Sequence, residues 1–285
     1  MPQDLRTIRR KIRTVTNVAQ ITRAMKMVAA ARLRRSQQIV ADCRAYWEGV
    51  RQMTSMVICQ FEEIDHPFLS TEPPQRVALL VVAGDRGLCG SYNSLVFRRA
   101  AQALDELPVA LVIGVGEKTR SWAASTGFSL YEVFPGFGGR TTGTVDLQVG
   151  RLLESLIAQG VCDGIYAVHT PYRSALYNIA DVSRVLPMTV EGEATARRVP
   201  YLFEPDPRTV VEALLPRAFQ THLSQIIIES AAAEQAARVA AMTAASDNAE
   251  DLMQELIRLR NRVRQQEITT EILEIVSGAE AISAD

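Results

Sequence analysis

Two apolar stripes, each too long for a compact domain, enclose the rest of this 285-residue chain. The first covers residues 3 to about 60. It runs through Leu5, Ile8, Ile12, Val15, Ala19, Met25, Val28, Leu33, Val40, Cys43, Trp47, Val50, Met53 and Val57, mostly in steps of three or four, with drift near Gln20 and Ser36. The second, from about Arg208 to Ile282, runs through Val211, Leu215, Phe219, His222, Ile226, Ala233, Ala237, Ala241, Ala244, Asn248, Leu252, Leu256, Leu259 and Val263, and continues through Thr270, Leu273 and Ser277. Such spacing predicts amphipathic helices. At 1.5 Å per residue they would run to about 85 and about 110 Å. Pro216 is expected to kink or restart the second one.

Neither helix can bury its stripe on the intervening residues alone, because each would protrude too far. Packing on each other solves this. The chain reverses through the middle segment, so the pair is antiparallel. A period near 3.5 predicts a left-handed supercoil. The stretches "VAAARL" (28–33) and "AAAEQAARVAAMTAAS" (231–246) carry small side chains that let two backbones approach closely. The protruding end of such a hairpin is left exposed and expects a partner.

Between the helices the pattern changes. "VALLVVA" (77–83), "VALVIGV" (109–115) and "GIYAVHT" (164–170) are short apolar runs bounded by Gly, Pro or charge, and "RVLP" (184–187) is a further candidate strand. Helical stretches near 92–106, 117–125 and 145–159 alternate with them. That alternation argues a mainly parallel α/β sheet. "PGFGGRTTG" reads as a loop. The expected fold is therefore an antiparallel coiled coil of N- and C-terminal helices with a central Rossmann-like α/β domain. The boundaries are 1–62, 63–207 and 208–285.

"GDRGLCGS" (84–91) follows the first strand, where many nucleotide-binding domains place a phosphate loop. Its glycines at 84, 87 and 90 do not make GxGxxG. "GVGEKT" (114–119) sets Glu117 between glycine and lysine, so it is no Walker loop. A tight strand-to-helix turn is the plainer reading, with anion binding at the helix N-terminus as the alternative. His66, His169 and His222 are scattered without HExxH spacing, and no Ser/His/acid arrangement follows from spacing. Glu62 and Glu63 read as solvated at a helix end. No catalytic, cofactor-binding or metal-binding residues are assigned.

Net charge is −1, yet the ends differ: residues 1–35 carry ten Lys and Arg against Asp4, and beyond 267 there are acids but no Lys or Arg. The basic helix invites a nucleic-acid reading. No aromatic residue occurs before Tyr46, so a base-stacking platform is missing. An acidic protein surface is the competing partner. Cys43, Cys59, Cys89 and Cys162 form no CxxC pair. Cys43 and Cys59 would lie about 24 Å apart on one helix, too far for a disulfide. A reduced, cytoplasmic protein follows, and no apolar run reaches the length of a membrane span. The arginine-rich start imitates a transit peptide, but the heptad stripe already begins at Leu5.

The last segment, "RQQEITTEILEIVSGAEAI" (264–282), carries Ile268, Ile272, Leu273, Ile275 and Val276 on more than one helix face. One packing stripe cannot use them all. A narrow apolar tip suits insertion into an apolar collar.

That tip resembles the C-terminal signature of the gamma subunits of F-type ATP synthases, in "ITTEILEIVSGAEAI". "IRRKIRTVTNVAQITRAMKMVAAARLRRSQ" is similar to the family's N-terminal helix, and "DRGLCGSYN" and "YLFEPDP" match it internally. The resemblance covers essentially the whole chain. It implies a non-catalytic rotor subunit that couples ion-driven rotation to ATP synthesis and hydrolysis and regulates the ATPase. Implied partners are a hexamer of alpha and beta subunits, the epsilon subunit and a membrane ring of c subunits. Neither nucleic acid nor direct membrane insertion is expected, and the implied place is peripheral, at the cytoplasmic face of a bacterial plasma membrane. Residue by residue, Arg264, Gln265 and Thr269 are expected at a beta-subunit catch loop. Met25, Lys26 and Arg238 are expected near the acidic lever of beta. Tyr201, Phe203 and Glu204 are expected at the c-ring loop. The chain lacks the extra central segment and paired regulatory cysteines of the plant form, so no thiol switch is implied.

Overall fold

A computed structural model describes residues 5–61, 66–70, 72–136, 144–174, 177–188 and 202–283. In order along the chain these form α1 (Leu5–Ile58), a 3-10 turn (Pro67–Leu69), β1 (Val77–Val82), α2 (Tyr92–Glu106), β2 (Val109–Val115) and α3 (Glu117–Thr126). There follow β3 (Glu132–Phe134), α4 (Val145–Ala158), β4 (Gly164–His169), β5 (Asp181–Leu186) and α5 (Pro207–Ser283). By internal contacts the chain divides into two compact units, one of residues 1–28 with 240–285 and one of residues 29–239.

The larger unit holds a five-stranded sheet in the order β3-β2-β1-β4-β5. β1 pairs in parallel with β2 and β4, β3 pairs in parallel with β2, and β5 closes the other edge antiparallel to β4. All six residues of β1 are buried, as a central strand covered on both faces requires. Leu80, Val82, Ile113 and Ile165 pack with Leu153 and Leu156 of α4 and with Leu215, Phe219, Leu223 and Ile226 of α5. Leu79, Val81 and Val112 pack on the opposite face with Tyr92, Val96 and Ala100 of α2 and Trp122 of α3. Ala233 and Ala237 of α5 join this second cluster, so α5 serves both faces.

Gly116, between β2 and α3, has φ 95°, and a Cβ there would stand 2.0 Å from the Ala83 carbonyl oxygen. Only glycine lets these two parallel strands turn side by side at their carboxyl ends.

α5 starts cleanly. The Asp206 carboxylate accepts from the Thr209 backbone N–H at 3.0 Å and the Thr209 hydroxyl at 2.7 Å, and Pro207 supplies the first helical residue. Pro216 does not restart the helix: α5 runs uninterrupted from Pro207 to Ser283. An interior proline costs roughly 3 kcal/mol, but Leu215 and Phe219 on either side are fully buried and hold the helix in place. β3 was not anticipated; three residues give too short a pattern to read. β5 begins earlier than "RVLP" suggested, at Asp181.

In the smaller unit the N-terminal part of α1 and the C-terminal part of α5 run antiparallel. Thr16 faces Met253, Thr22 shares a buried 2.9 Å hydroxyl–hydroxyl hydrogen bond with Ser246, and Arg23 pairs with Glu250. Ile8 is fully buried here. The seam differs from the apolar stripe: Thr22, Met242, Ser246 and Ala249 are buried, whereas Val28 and Leu252 are 54% and 45% exposed. Ala244 and Asn248 are exposed as well. A hydrogen-bonded Thr–Ser pair occupies positions that a search for apolar side chains passes over.

Candidate functional site

In sheets of this kind ligands bind outside the carboxyl ends of the strands, where strand order reverses. Here that point lies between β1 and β4. The turn "GDRGLCGS" leaves β1 at this point, and α5 runs beside it. The Gly84 N–H donates to Asn93 Oδ1 at 2.9 Å, and the Glu117 N–H donates to Asp85 Oδ1 at 3.0 Å, which tie the turn to α2 and α3. Leu88 and Gly90 adopt left-handed backbone with φ of 62° and 59°. A Cβ on Gly84 would lie 3.0 Å from Glu234 Oε1, so glycine leaves room for that carboxylate. Glu234 accepts from Arg238 Nη2 at 2.5 Å, and the same nitrogen reaches the Gly87 carbonyl at 3.4 Å. The Tyr92 hydroxyl donates to the Ser230 carbonyl at 3.2 Å. Thus the place where a doubly wound fold would seat an anionic ligand carries a carboxylate from the chain's own helix.

After β4, Tyr172 makes a second polar attachment. Its N–H donates to Glu229 Oε2 at 3.3 Å, and its hydroxyl accepts from Gln37 Nε2 of α1 at 2.5 Å. Val40, Trp47 and Ala232 pack beside it, binding α1 to α5 within the larger unit.

Burial pushes the Glu234 pKa up against the opposing pull of Arg238, and burial likewise raises the Tyr92 hydroxyl and the Cys89 thiol. An inert protonated thiol follows for Cys89. Among the described residues no group of His, Cys, Asp and Glu stands where it could hold a metal ion.

His169, at the end of β4, shares a 2.9 Å hydrogen bond with Ser183 and is 5% exposed. Burial first, and then neighbouring His222, lower its pKa to about 4, while Asp181 opposes them. Burial also lowers the pKa of His222. An unfolded chain protonates its imidazoles near pH 6.5, well above the folded His169. The stability gained by keeping this ring neutral is therefore present above about pH 6.5 and lost as pH falls toward 4, to the extent of about 3 kcal/mol. Urea unfolding across that range should show a steep acid loss that His169→Gln flattens. An unchanged slope in the variant would contradict it.

The residues expected at partner contacts fall in several places. Met25 and Lys26 are half-buried on α1, beside exposed Ile21 and Met27. Arg238, expected near the same contact, is 8% exposed and uses its guanidinium inside the chain, on Glu234 and Gly87. Arg264, Gln265 and Thr269 are exposed on α5, with the Thr269 hydroxyl donating to the Gln265 carbonyl at 2.9 Å. Carried along the helices, the Thr16–Met253 register sets Leu5 beside Arg264. Beyond it α5 has no antiparallel neighbour among the described residues. There Ile268, Ile272, Leu273, Ile275 and Val276 are 45–71% exposed. Phe203 packs on Phe61 with centroids 5.8 Å apart, and Glu204 is exposed next to Leu202, which is 88% exposed. Tyr201, with Glu62 and Glu63, lies outside the described residues.

The contact-forming residues that sequence reasoning passed over are Glu234, Tyr92 and Tyr172. Glu234 left one trace: it is the only charged residue in the run 231–237, a position on a buried alanine face.

Comparison with known proteins is uniform. The family model described as ATP synthase matches residues 4–282. An ATP synthase gamma chain of Pelotomaculum thermopropionicum is 35% identical over 280 residues, covering 98% of this chain and 99% of that one. The gamma chain of Mycobacterium tuberculosis is 34% identical over 305 residues, covering 99% of each. Among solved structures, a chain of the Euglena gracilis mitochondrial ATP synthase OSCP/F1/c-ring assembly covers 98% of this chain with TM-score 0.70 at 18% identity. One from the Tetrahymena thermophila ATP synthase central stalk and c-ring covers 79% with TM-score 0.59 at 22% identity. At those identities the likeness is one of fold.

Proposed function

The chain belongs to the ATP synthase gamma-chain family, and from that premise we propose that it is the central rotor of such an enzyme. It has no active site of its own. It couples ion-driven rotation of a c ring to ATP synthesis and hydrolysis on beta subunits, and it regulates their ATPase. The observation that carries this reading, beside membership of the family, is a single unbroken α5. It is tied to the loops after β1 and β4 through Arg238 and Glu229 and ends in a run of exposed aliphatic side chains.

The mechanism is asymmetric packing. A shaft that is not threefold symmetric, inside a collar of three alpha and three beta subunits, cannot touch all three beta subunits alike. Each catalytic site then has its own balance of open and closed states, and turning the shaft shifts those balances in sequence. Arg264, Gln265 and Thr269 meet a catch loop of beta, where the planar donors of Arg264 suit a carboxylate. Met25 offers the acidic lever of beta a pliable apolar contact and Lys26 a charge. Arg238, on the opposite helix, lies near the same contact. Tyr201, Phe203 and Glu204 approach the polar loop of the c ring, and the epsilon subunit sits against the α/β domain. The terminal helices form a coiled coil. No described helix is long and apolar enough to cross a membrane, and the protein is peripheral, held at the cytoplasmic face of a bacterial membrane by its partners.

Purified alone, the chain should hydrolyse no ATP. Added to alpha and beta subunits, it should raise their turnover. Equal turnover with and without it would remove the coupling role.

A further inference from the structure

Glu234 sits at the crossing where α5 passes from one face of the sheet to the other. Val211 to Ala231 pack on the α4 face, and Ala233 and Ala237 pack on the α2 face. At the crossing the Glu234 side chain is 1% exposed and that of Arg238 is 10% exposed. Glu234 Oε2 finds no hydrogen-bond partner among the described residues. Burying this pair is a poor way to gain stability, since apolar side chains of similar volume commonly do as well or better. In some proteins a buried polar pair does something apolar packing does not: it selects one register. The surrounding contacts on α5 are small alanine methyls, which resist sliding and rotation weakly.

We infer that Glu234 and Arg238 are positioning residues that key α5 to the α/β body, so that torque on the body reaches the helix without slip. The keyway is the turn after β1. Gly84 admits the Glu234 carboxylate, and the Gly87 carbonyl receives Arg238. Tyr172, on the loop after β4, is a parallel attachment to Glu229 and to Gln37 of α1. The two loops flank the same crevice, so one holds α5 from each side of the β1/β4 junction. This inference rests on the rotor reading above, and it assigns that reading its load-transmitting contact.

The test uses the chain assembled with alpha and beta subunits, fixed through beta, with a bead on the exposed C-terminal end of α4. Angular stiffness is read from bead fluctuations during pauses. Arg238→Met removes the ion pair. Gly84→Ala keeps both charges and crowds the carboxylate and Asn93 Oδ1. Arg238→Lys keeps the cation. Arg99→Met, which breaks an exposed pair with Glu106 on α2, is the control. Leu215, Phe219, Leu223 and Ile226 also hold α5 on the sheet, so stiffness should fall by less than about twofold in Arg238→Met and by less again in Gly84→Ala. It should recover partly in Arg238→Lys and hold in the control. Should Arg238→Met fail to assemble, Gly84→Ala and Arg238→Lys decide. Lower melting temperatures with wild-type stiffness in the assembled variants would overturn the key and leave only a structural pair. A wild-type bead that never turns with ATP would instead remove the rotor reading itself.

Discussion

Phe219→Ala should cost about 3–5 kcal/mol of unfolding free energy, the usual range for emptying a fully buried aromatic site. Phe219 has no exposed surface, and its ring lies 5.4 Å from that of Phe68. It follows Pro216 by less than one turn, on a helix that has already lost a backbone hydrogen bond there. Removing the ring takes away much of what keeps α5 continuous past the proline. For a body of about 200 residues each kcal/mol moves the midpoint by roughly 2–4 °C, so the melting temperature should drop by about 10 °C. Thermal unfolding followed by circular dichroism measures this. A loss under about 1 kcal/mol would mean that the surroundings collapse freely and that Phe219 does not hold the helix.

A second large effect should appear only in the complex. Changing Ile268, Ile272 and Ile275 together to Ser should leave the isolated chain's stability within about 0.5 kcal/mol, because all three are at least 45% exposed. The proposed docking would bury those side chains in the collar, and full burial of one aliphatic side chain contributes about 1.5–3 kcal/mol. Interfaces return only part of such sums. Even so, with tenfold per 1.4 kcal/mol, affinity for the alpha–beta hexamer should weaken by about 100-fold or more. Titration of labelled chain into the hexamer gives the number. Unchanged affinity and turnover would show that the apolar tip is not a docking element.

Much of this architecture could be read before any coordinates. β1, β2 and β4 are apolar runs because parallel strands covered on both faces have no polar side to show. The limits of α2 emerged because Gly90 and Pro108 punctuate it. Four features stayed hidden, each for a physical reason. β3 is an edge strand of three residues. Pro216 is overruled by tertiary burial of its neighbours. The helical seam substitutes Thr22 and Ser246 for apolar side chains because a hydroxyl pair satisfies itself. Arg238 reads as a surface cation until the loop at 84–90 folds over it, and no local pattern announces that pairing. The exposure of Ile268, Ile272, Leu273, Ile275 and Val276, by contrast, could be anticipated, because they spread over more than one helix face.

The whole account depends on this chain turning as one piece against its partners. Fix the alpha–beta hexamer to a surface, attach a probe to the α/β body and supply ATP. The account predicts one-way stepping with three equivalent pauses per turn, each tied to hydrolysis. Hydrolysis at full rate beneath a probe that stays still, or that wanders in both directions, would contradict it.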